Sequence, residues 1–405
     1  MIEYSKIKIK GDKKNSDFFF KYLDEIYKFR KENKIDLNIK NIHHFVIQTK
    51  SEFAVSLICE WLMQSPYNYE FSFVHELKRH HVLRFNDQSP DILIQENLSP
   101  EEDFVFFQNS LNPKSKENPN IKFIGEVFEV TDLKKLDGIL TNTQKVKFQD
   151  PLPDKFYDDY IHWTTPSIYT HNSIGYKQRP NAQRTYLMDQ EWNFDDEAKA
   201  RFKLSKDMFN NLSLNKYVLP IDHFATRIYS HDRELAILEY LTLTNYWFWG
   251  AYNIGDQNSS TNVCRNLQGD PESISPAKVF TANNTPAFLS FLDGLPCPTE
   301  NFVQLYGRRL HHFALGVTDG FIGDESKNYR NVDYVVDQLK NSHMQFLDHV
   351  IGSCQEGLKQ IFSKKSAHSL LITEYIQRCN EFDGFFTKEN VAALTKAAGD
   401  DDLIT

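Results

Sequence analysis

At 405 residues the chain is too long for one ordinary domain, and 40% hydrophobic with 14% aromatic content excludes an intrinsically disordered protein. A net charge of −9, with no basic run beyond Lys6–Lys14, excludes the concentrated positive face of a nucleic-acid binder. Neither an apolar leader nor a run of about 18 apolar residues occurs, so no signal peptide and no membrane span are expected.

In chain order, residues 16–33 read as a helix, with Ser16 as its cap and Phe19, Leu23, Ile26 and Phe29 on one face. Ile42–Gln48 reads as a strand and Ser51–Met63 as a helix. Three short strands follow at Tyr69–Val74, His81–Phe85 and Asp91–Gln95, completing one compact module. The opening returns at Lys122–Val130, with a helix from Leu133, and at Pro220–Tyr229, with a helix His231–Leu241 and a strand Asn245–Trp249. It returns once more at Leu310–Val317, where a polar insertion near 320–330 precedes a helix carrying Val332, Val335, Val336 and Leu339. An α+β fold of four βαβββ modules, paired into two open half-barrels, is therefore expected. The expected organisation is a helical extension (1–35), an N-terminal domain (36–150), an inter-domain excursion (151–215) carrying Pro151, Pro153, Pro166 and Pro180, and a C-terminal domain (216–405).

The five cysteines (Cys59, Cys264, Cys297, Cys354, Cys379) are scattered and show no CxxC pairing. They are expected to be reduced, in a cytoplasmic setting, with no disulfide framework and no zinc cluster.

Side chains alternate along a strand, which puts Ile221, His223 and Ala225 on one face and Leu310, His312 and Ala314 on another. In Leu370–Gln377, Glu374 lies between Ile372 and Ile376, where a carboxylate is costly unless paired or bound to a metal. Two histidines and a carboxylate from separate strands of one cup make a facial triad, which occupies one side of an octahedral ion and leaves three positions open. A structural zinc site would instead be closed and would recruit thiolates. Taken singly, either histidine could equally be a core residue satisfied by a backbone carbonyl.

The stretch Gly357–Leu394 reads GLKQIFSKKSAHSLLITEYIQRCNEFDGFFTKENVAAL. It resembles the C-terminal signature of 4-hydroxyphenylpyruvate dioxygenases: a QIF strand, an E-x-I-Q-R strand, then Gly384, Phe385 and Asn390 opening a terminal helix. IDHF around His223 and HHFAL around His312 resemble the family's two metal-histidine strands, and HVLRF (His81–Phe85) followed by NLSP (Asn97–Pro100) resembles a hairpin of its N-terminal half. The resemblance implies the vicinal-oxygen-chelate architecture and one Fe(II) per chain on His223, His312 and Glu374. It further implies a non-catalytic N-terminal domain with His44 as a vestigial metal position, and a homo-oligomer. By the same resemblance Gln360 and Gln304 are substrate-orienting amides, Asn284 belongs to an N-x-P turn at the substrate, Phe362 and Phe385 sandwich a ring, and the helix carrying Asn390 and Val391 is a lid. The implied reaction converts 4-hydroxyphenylpyruvate, or a related aryl 2-oxo acid, and O2 to homogentisate and CO2, in tyrosine catabolism. No separate 2-oxoglutarate is needed, because the substrate carries the 2-oxo acid. Val391, Ile372 and the Arg308–Arg309 pair depart from the family's pattern, which makes a hydroxymandelate synthase-like oxygenase the nearest alternative. A metal- or ligand-binding protein of the same fold without turnover is the other.

Overall fold

The computed structural model describes residues 10–11, 17–99, 101, 103–178, 184–266, 275–289, 294–323, 329–347, 349–382 and 384–404. Ser16, Pro100, Pro180 and most of Lys6–Lys14 lie outside the described residues.

A two-residue strand β1 (Lys10–Gly11) and the helices α1 (Asp17–Asn33) and α2 (Ile35–Asn38) precede the first module. That module is β2 (Ile39–Thr49), α3 (Ser51–Gln64), β3 (Asn68–His75), β4 (Lys78–Arg84) and β5 (Asp91–Asn97). The second follows a short helix α4 (Phe104–Ser110) and comprises β6 (Lys122–Val130), α5 (Leu133–Gln144), β7 (Ile161–Trp163) and β8 (Ser173–Gln178). After β9 (Gln190–Trp192) and α6 (Asp196–Asn211) comes the third: β10 (Val218–Arg227), α7 (Arg233–Leu243), β11 (Tyr246–Ile254), β12 (Ser259–Asn266) and β13 (Ala277–Asn283). The fourth holds α8 (Pro298–Tyr306), β14 (Arg309–Val317), α9 (Asn331–Asn341), β15 (Ile351–Ser353), β16 (Leu358–Phe362) and β17 (Ile372–Arg378), and α10 (Lys388–Ile404) follows it.

The first two modules with β9 build an eight-stranded sheet, β7-β8-β6-β2-β5-β4-β3-β9, and the last two with β1 a nine-stranded one, β1-β11-β12-β13-β10-β14-β17-β16-β15. Each is centred on the antiparallel pairing of two module-opening strands, β2 with β6 and β10 with β14. The segment expected as an excursion is in large part regular structure: β7 and β8 complete the second module, β9 pairs with β3, and α6 lies against α3. Strands of three to six residues among prolines carry too little periodicity to be read as sheet.

One phenylalanine from each opening strand meets at the centre. Phe45 lies 4.9 Å from Phe224 and 5.2 Å from Phe313, and Phe123 lies 5.8 Å from Phe313 (ring centroids). All four are 0–1% exposed. Such pairs add about 0.5–1.5 kcal/mol each beyond the area they bury.

Around this centre the seam between the halves is pseudo-symmetric. The Tyr176 hydroxyl donates to the Leu243 carbonyl at 2.7 Å, and Tyr375 to that of Gln64 at 2.8 Å. Ser167 donates to Glu239, and Ser366 to Glu60. Gln178 and Gln377 each accept from the first-turn amide of their module's helix, Leu133 and Val332.

Cys354 and Cys379 form a disulfide, correcting the expectation that all the cysteines are reduced. The β16–β17 ladder ends at Leu358 opposite Arg378, so the turn before β16 and the residue after β17 fall side by side, 5.2 Å apart at Cα. Among the described residues no helix is long and apolar enough to cross a membrane.

Candidate metal centre and substrate cleft

Two one-residue bulges shape the site. Ile221 pairs with Leu315 but His223 with Ala314, leaving Asp222 extra on β10; Ala225 pairs with His312 but Thr226 with Leu310, leaving His311 extra on β14. A bulge breaks the alternation of faces and re-aims side chains. Ile221 and Leu310 therefore do not share the histidines' face, as simple alternation predicts: both sit in the central core, whereas Ala225 and Ala314 line the cup. Glu374 stands on β17 directly beside Ala314.

His223, His312 and Glu374 are 0%, 6% and 1% exposed, and one ligand atom from each lies within 4.8 Å of the others. Both Nε2 atoms approach Glu374 Oε2, at 3.2 Å from His223 and 3.3 Å from His312. Ligand bonds of about 2.1 Å set at right angles put neighbouring donor atoms about 3 Å apart, so the spacing suits one metal ion. Two of the buried atoms, His223 Nε2 and Glu374 Oε1, have no hydrogen bond in the structure, as expected of groups that wait for an ion.

The second ring nitrogens set the tautomers. His223 Nδ1 donates to Asp222 Oδ1 at 2.7 Å, which leaves its Nε2 lone pair for the metal. Arg378 holds Asp222 with both terminal nitrogens. Burial pushes the Asp222 carboxyl up, but Arg378 and His223 outweigh it and hold the group well below the usual carboxylate range. Burial pulls the His223 imidazole down, and the Glu374 and Asp222 carboxylates overcome that and raise it. His312 Nδ1 faces His311 Nδ1 at 2.8 Å; a metal ion on His312 Nε2 would require His312 to donate and His311 to accept.

A cleft opens over the triad. Gln360, Phe362, Phe386, Arg227 and His311 line it, and Val391, Leu394 and Thr395 of α10 close over it. Gln360 is fully buried, and neither its Oε1 nor its Nε2 has a hydrogen bond. Phe362 lies 4.8 Å from the His312 ring. Phe385, expected to sandwich a ring, packs against His223 at 5.4 Å and under the Arg378 guanidinium, while its neighbour Phe386 lines the cleft. Tyr252 fixes both by accepting from their backbone amides. Asn390 anchors α10 by donating to the Leu358 carbonyl at 3.2 Å. Gly352, at φ 88°, makes room for it, because a Cβ there would lie 2.5 Å from the Asn390 amide.

Two expected contacts lie elsewhere. Gln304 sits on the exposed face of α8, because Phe302, Val303 and Tyr306 take the buried one. The Asn284 amide donates to the Ile254 and Ser259 carbonyls and so closes the β11–β12 hairpin, outside the cleft. Arg308 and Arg309 also miss the cleft: Arg308 pairs with Asp232, and Arg309 bonds Ser115 and the Ile121 carbonyl across the seam. The sequence reading missed Asp222, Arg378, Arg227, His311 and Phe386. Asp222 directly before His223, and Arg378 four residues after Glu374, were the available signals for the first two.

The first sheet shows what the other cup holds. His44 pairs with Val127 as His223 pairs with Ala314, and Val46 with Gly125 as Ala225 with His312. Val127 pairs with Gly175 as Ala314 with Glu374, and Trp163 with Gly175 as Phe362 with Glu374. The positions of His312 and Glu374 are thus glycines. A Cβ on Gly125 would lie 1.8 Å from the Ser173 carbonyl oxygen, so no side chain fits there. Tyr186 fills the space, 5.4 Å from the His44 ring, and its hydroxyl donates to buried Asp91, which also takes Arg84 and Arg184.

No family model and no curated protein matches the chain. Among solved structures, a triple variant of 4-hydroxymandelate synthase from Streptomyces coelicolor is similar, with a TM-score of 0.58 at 15% identity, over 90% of this chain and 99% of that one. A xylose isomerase-like TIM barrel/4-hydroxyphenylpyruvate dioxygenase fusion protein gives 0.56 at 12%, over 94% of this chain; the match spans 57% of the fusion's length. At such identities the likeness concerns the fold, and the chain has the vicinal-oxygen-chelate fold.

Proposed function

We propose that the chain is an Fe(II)-dependent dioxygenase acting on an aryl 2-oxo acid, with 4-hydroxyphenylpyruvate to homogentisate as the reference reaction and tyrosine catabolism as its setting. The observation that carries this is the meeting, in one buried cleft, of a His-His-Glu triad and the unbonded Gln360 amide between aromatic walls. The names of the two similar structures support the choice of reaction. In the balanced reaction O2 and the 2-oxo acid give CO2 and a hydroxylated arylacetate; one oxygen enters the new carboxylate and the other the ring.

His223, His312 and Glu374 would hold the iron, which when bound supplies O2 activation and open positions for the 2-oxo acid. Asp222 and Arg378 fix the tautomer and tilt of His223. Gln360 offers a donor and an acceptor to the substrate, and Phe362 and Phe386 flank its ring. α10 excludes water through Val391 and Leu394. Gln304 and Asn284 take no part. The N-terminal half is non-catalytic, and homo-oligomerisation rests on the family resemblance.

A cytoplasmic location belongs to the same proposal, and the Cys354–Cys379 bridge stands against it. Intact mass of alkylated protein from cells decides between dithiol and disulfide.

Oxygen uptake by the iron-loaded protein with 4-hydroxyphenylpyruvate, with assay for homogentisate, tests the proposal. Absence of uptake with every aryl 2-oxo acid, at stoichiometric iron, overturns it.

A further inference from the structure

The seam between the halves is pseudo-symmetric in its hydrogen bonds but not in its cavities. One, of about 460 Å³, lies between β6, β8, α7 and β13; the other, of about 280 Å³, lies between α3, β14 and β17. Small-molecule sites run to roughly 300–1,000 Å³, so the first is large enough to be one. It shares no lining residue with the triad's cleft.

Register and spacing give the matching positions. Glu126 on β6 stands where β14 has Phe313, and Lys278 on β13 stands where β5 has Ile92. Tyr240 follows Glu239 as Trp61 follows Glu60, and Asn172 follows Ser167 at the spacing by which Leu371 follows Ser366. The first cavity thus has a carboxylate, an ammonium, a phenol and an amide where the other half has four apolar side chains. Glu126 and Lys278 are 1% and 2% exposed and 3.6 Å apart. Apolar replacement of a buried ion pair is often neutral or stabilising, and the other half shows that this fold accepts it, so stability does not account for the pair.

Lys278 and the Tyr240 hydroxyl both serve Glu126, which leaves Glu239 over. Glu239 is half-buried in the cavity wall and accepts from Ser167; burial raises its carboxyl, and no cation among the described residues offsets that. Its counterpart Glu60 has His368 Nε2 at 3.5 Å, but the matching residue beside Glu239 is Tyr169, which brings no positive charge. Asn172, 6% exposed, lines the same cavity; its Nδ2 donates to Thr226, and its Oδ1 has no hydrogen bond. An ionised Glu239 and Asn172 Oδ1 are both acceptors, and Ile174, Leu243 and Phe280 add apolar wall.

We propose that this seam cavity binds a small organic ammonium ion, with Glu239 as its counter-charge, Asn172 as a second acceptor and its apolar body among Ile174, Leu243 and Phe280. The ammonium group can belong to a simple amine or to an amino acid, whose carboxylate would meet the exposed Lys145 and Lys147 at the mouth.

The test is calorimetric titration of the full chain with 2-phenylethylammonium and its neutral isostere 2-phenylethanol. The ammonium is expected to bind roughly 10- to 100-fold more tightly, the range of a hydrogen bond to a charged group. Glu239→Gln, which keeps the shape and removes the charge, should bring the two within about threefold of each other. Glu60→Gln, at the matching place in the other cavity, should leave the preference within about twofold of its original value. Phenylalanine separates the two sources: tighter binding than the amine assigns the site to an amino acid, and weaker binding assigns it to a simple amine. Equal affinity for ammonium and alcohol in the unmodified protein, which needs no variant to fold, overturns the site. So does a preference that survives in Glu239→Gln, or no binding of any probe, which would mean a cavity that holds water alone.

Discussion

The two cups are built on one plan and differ in what occupies them. Around the second sheet, His223, His312, Glu374, Gln360 and Phe362 surround a cleft; at the matching positions of the first stand His44, Gly125, Gly175, Ile161 and Trp163, with Tyr186 seated among them. The strands, their registers and their bulges are shared, so the fold alone does not set what a cup holds. Three side chains and a cleft distinguish the second. The first cup has glycine at two of the three matching positions and a tyrosine, supplied by the segment between the halves, beside the third.

Glu374→Ala gives the largest effect on this contrast. Iron should fall from one per chain to none by metal analysis, because among the described residues no other group of three histidine, cysteine or carboxylate side chains is placed to hold an ion; full occupancy would mean that the ligands are misassigned. Tyr186→Ala should destabilise the protein by about 3–5 kcal/mol in urea unfolding while iron stays at one per chain. A variant that gains iron, or loses none of its stability, would show that the first cup is not plugged as described. Arg378→Met frees Asp222 and loosens His223, and metal affinity should drop about 10- to 100-fold with the fold intact.

The smallest effect probes what the halves have in common. Burial raises both Glu60 and Glu239, on opposite sides of the seam, from 4.5 to about 7. Each binds its proton more tightly folded than unfolded, so their contribution is fully present below pH 4.5 and is lost as pH rises through about 7. Urea midpoints should decline over that window, and Glu60→Gln with Glu239→Gln should flatten the decline. An unchanged slope in the double variant would place the effect elsewhere.

The module repeat was legible because each opening strand is long and apolar, and the three candidate ligands because three of those strands carry a histidine at the same offset and Glu374 stands between isoleucines on a closing strand. The bulges were not. Adding one residue to a strand leaves its composition unchanged but moves Ile221 and Leu310 to the other face, and only pairing with a neighbour reveals it. The second module's closing strands hid among prolines, although Ser167, Tyr176 and Gln178 repeat the spacing of Ser366, Tyr375 and Gln377 and make the same bonds. Gln304 lies on the exposed face of α8, and an amide near a histidine strand says nothing about which side of its helix it occupies.

The bulges also recur between the halves. His43 is the extra residue of β2 where Asp222 is that of β10, and Ile124 is the extra residue of β6 where His311 is that of β14. Both sheets keep these extra residues at matching positions, and in both the first of them bonds the histidine that follows it. The irregular register is therefore a property of the repeat itself, independent of which side chains each cup carries. The two halves differ in these strands by substitution within one frame, with no insertion or deletion between them.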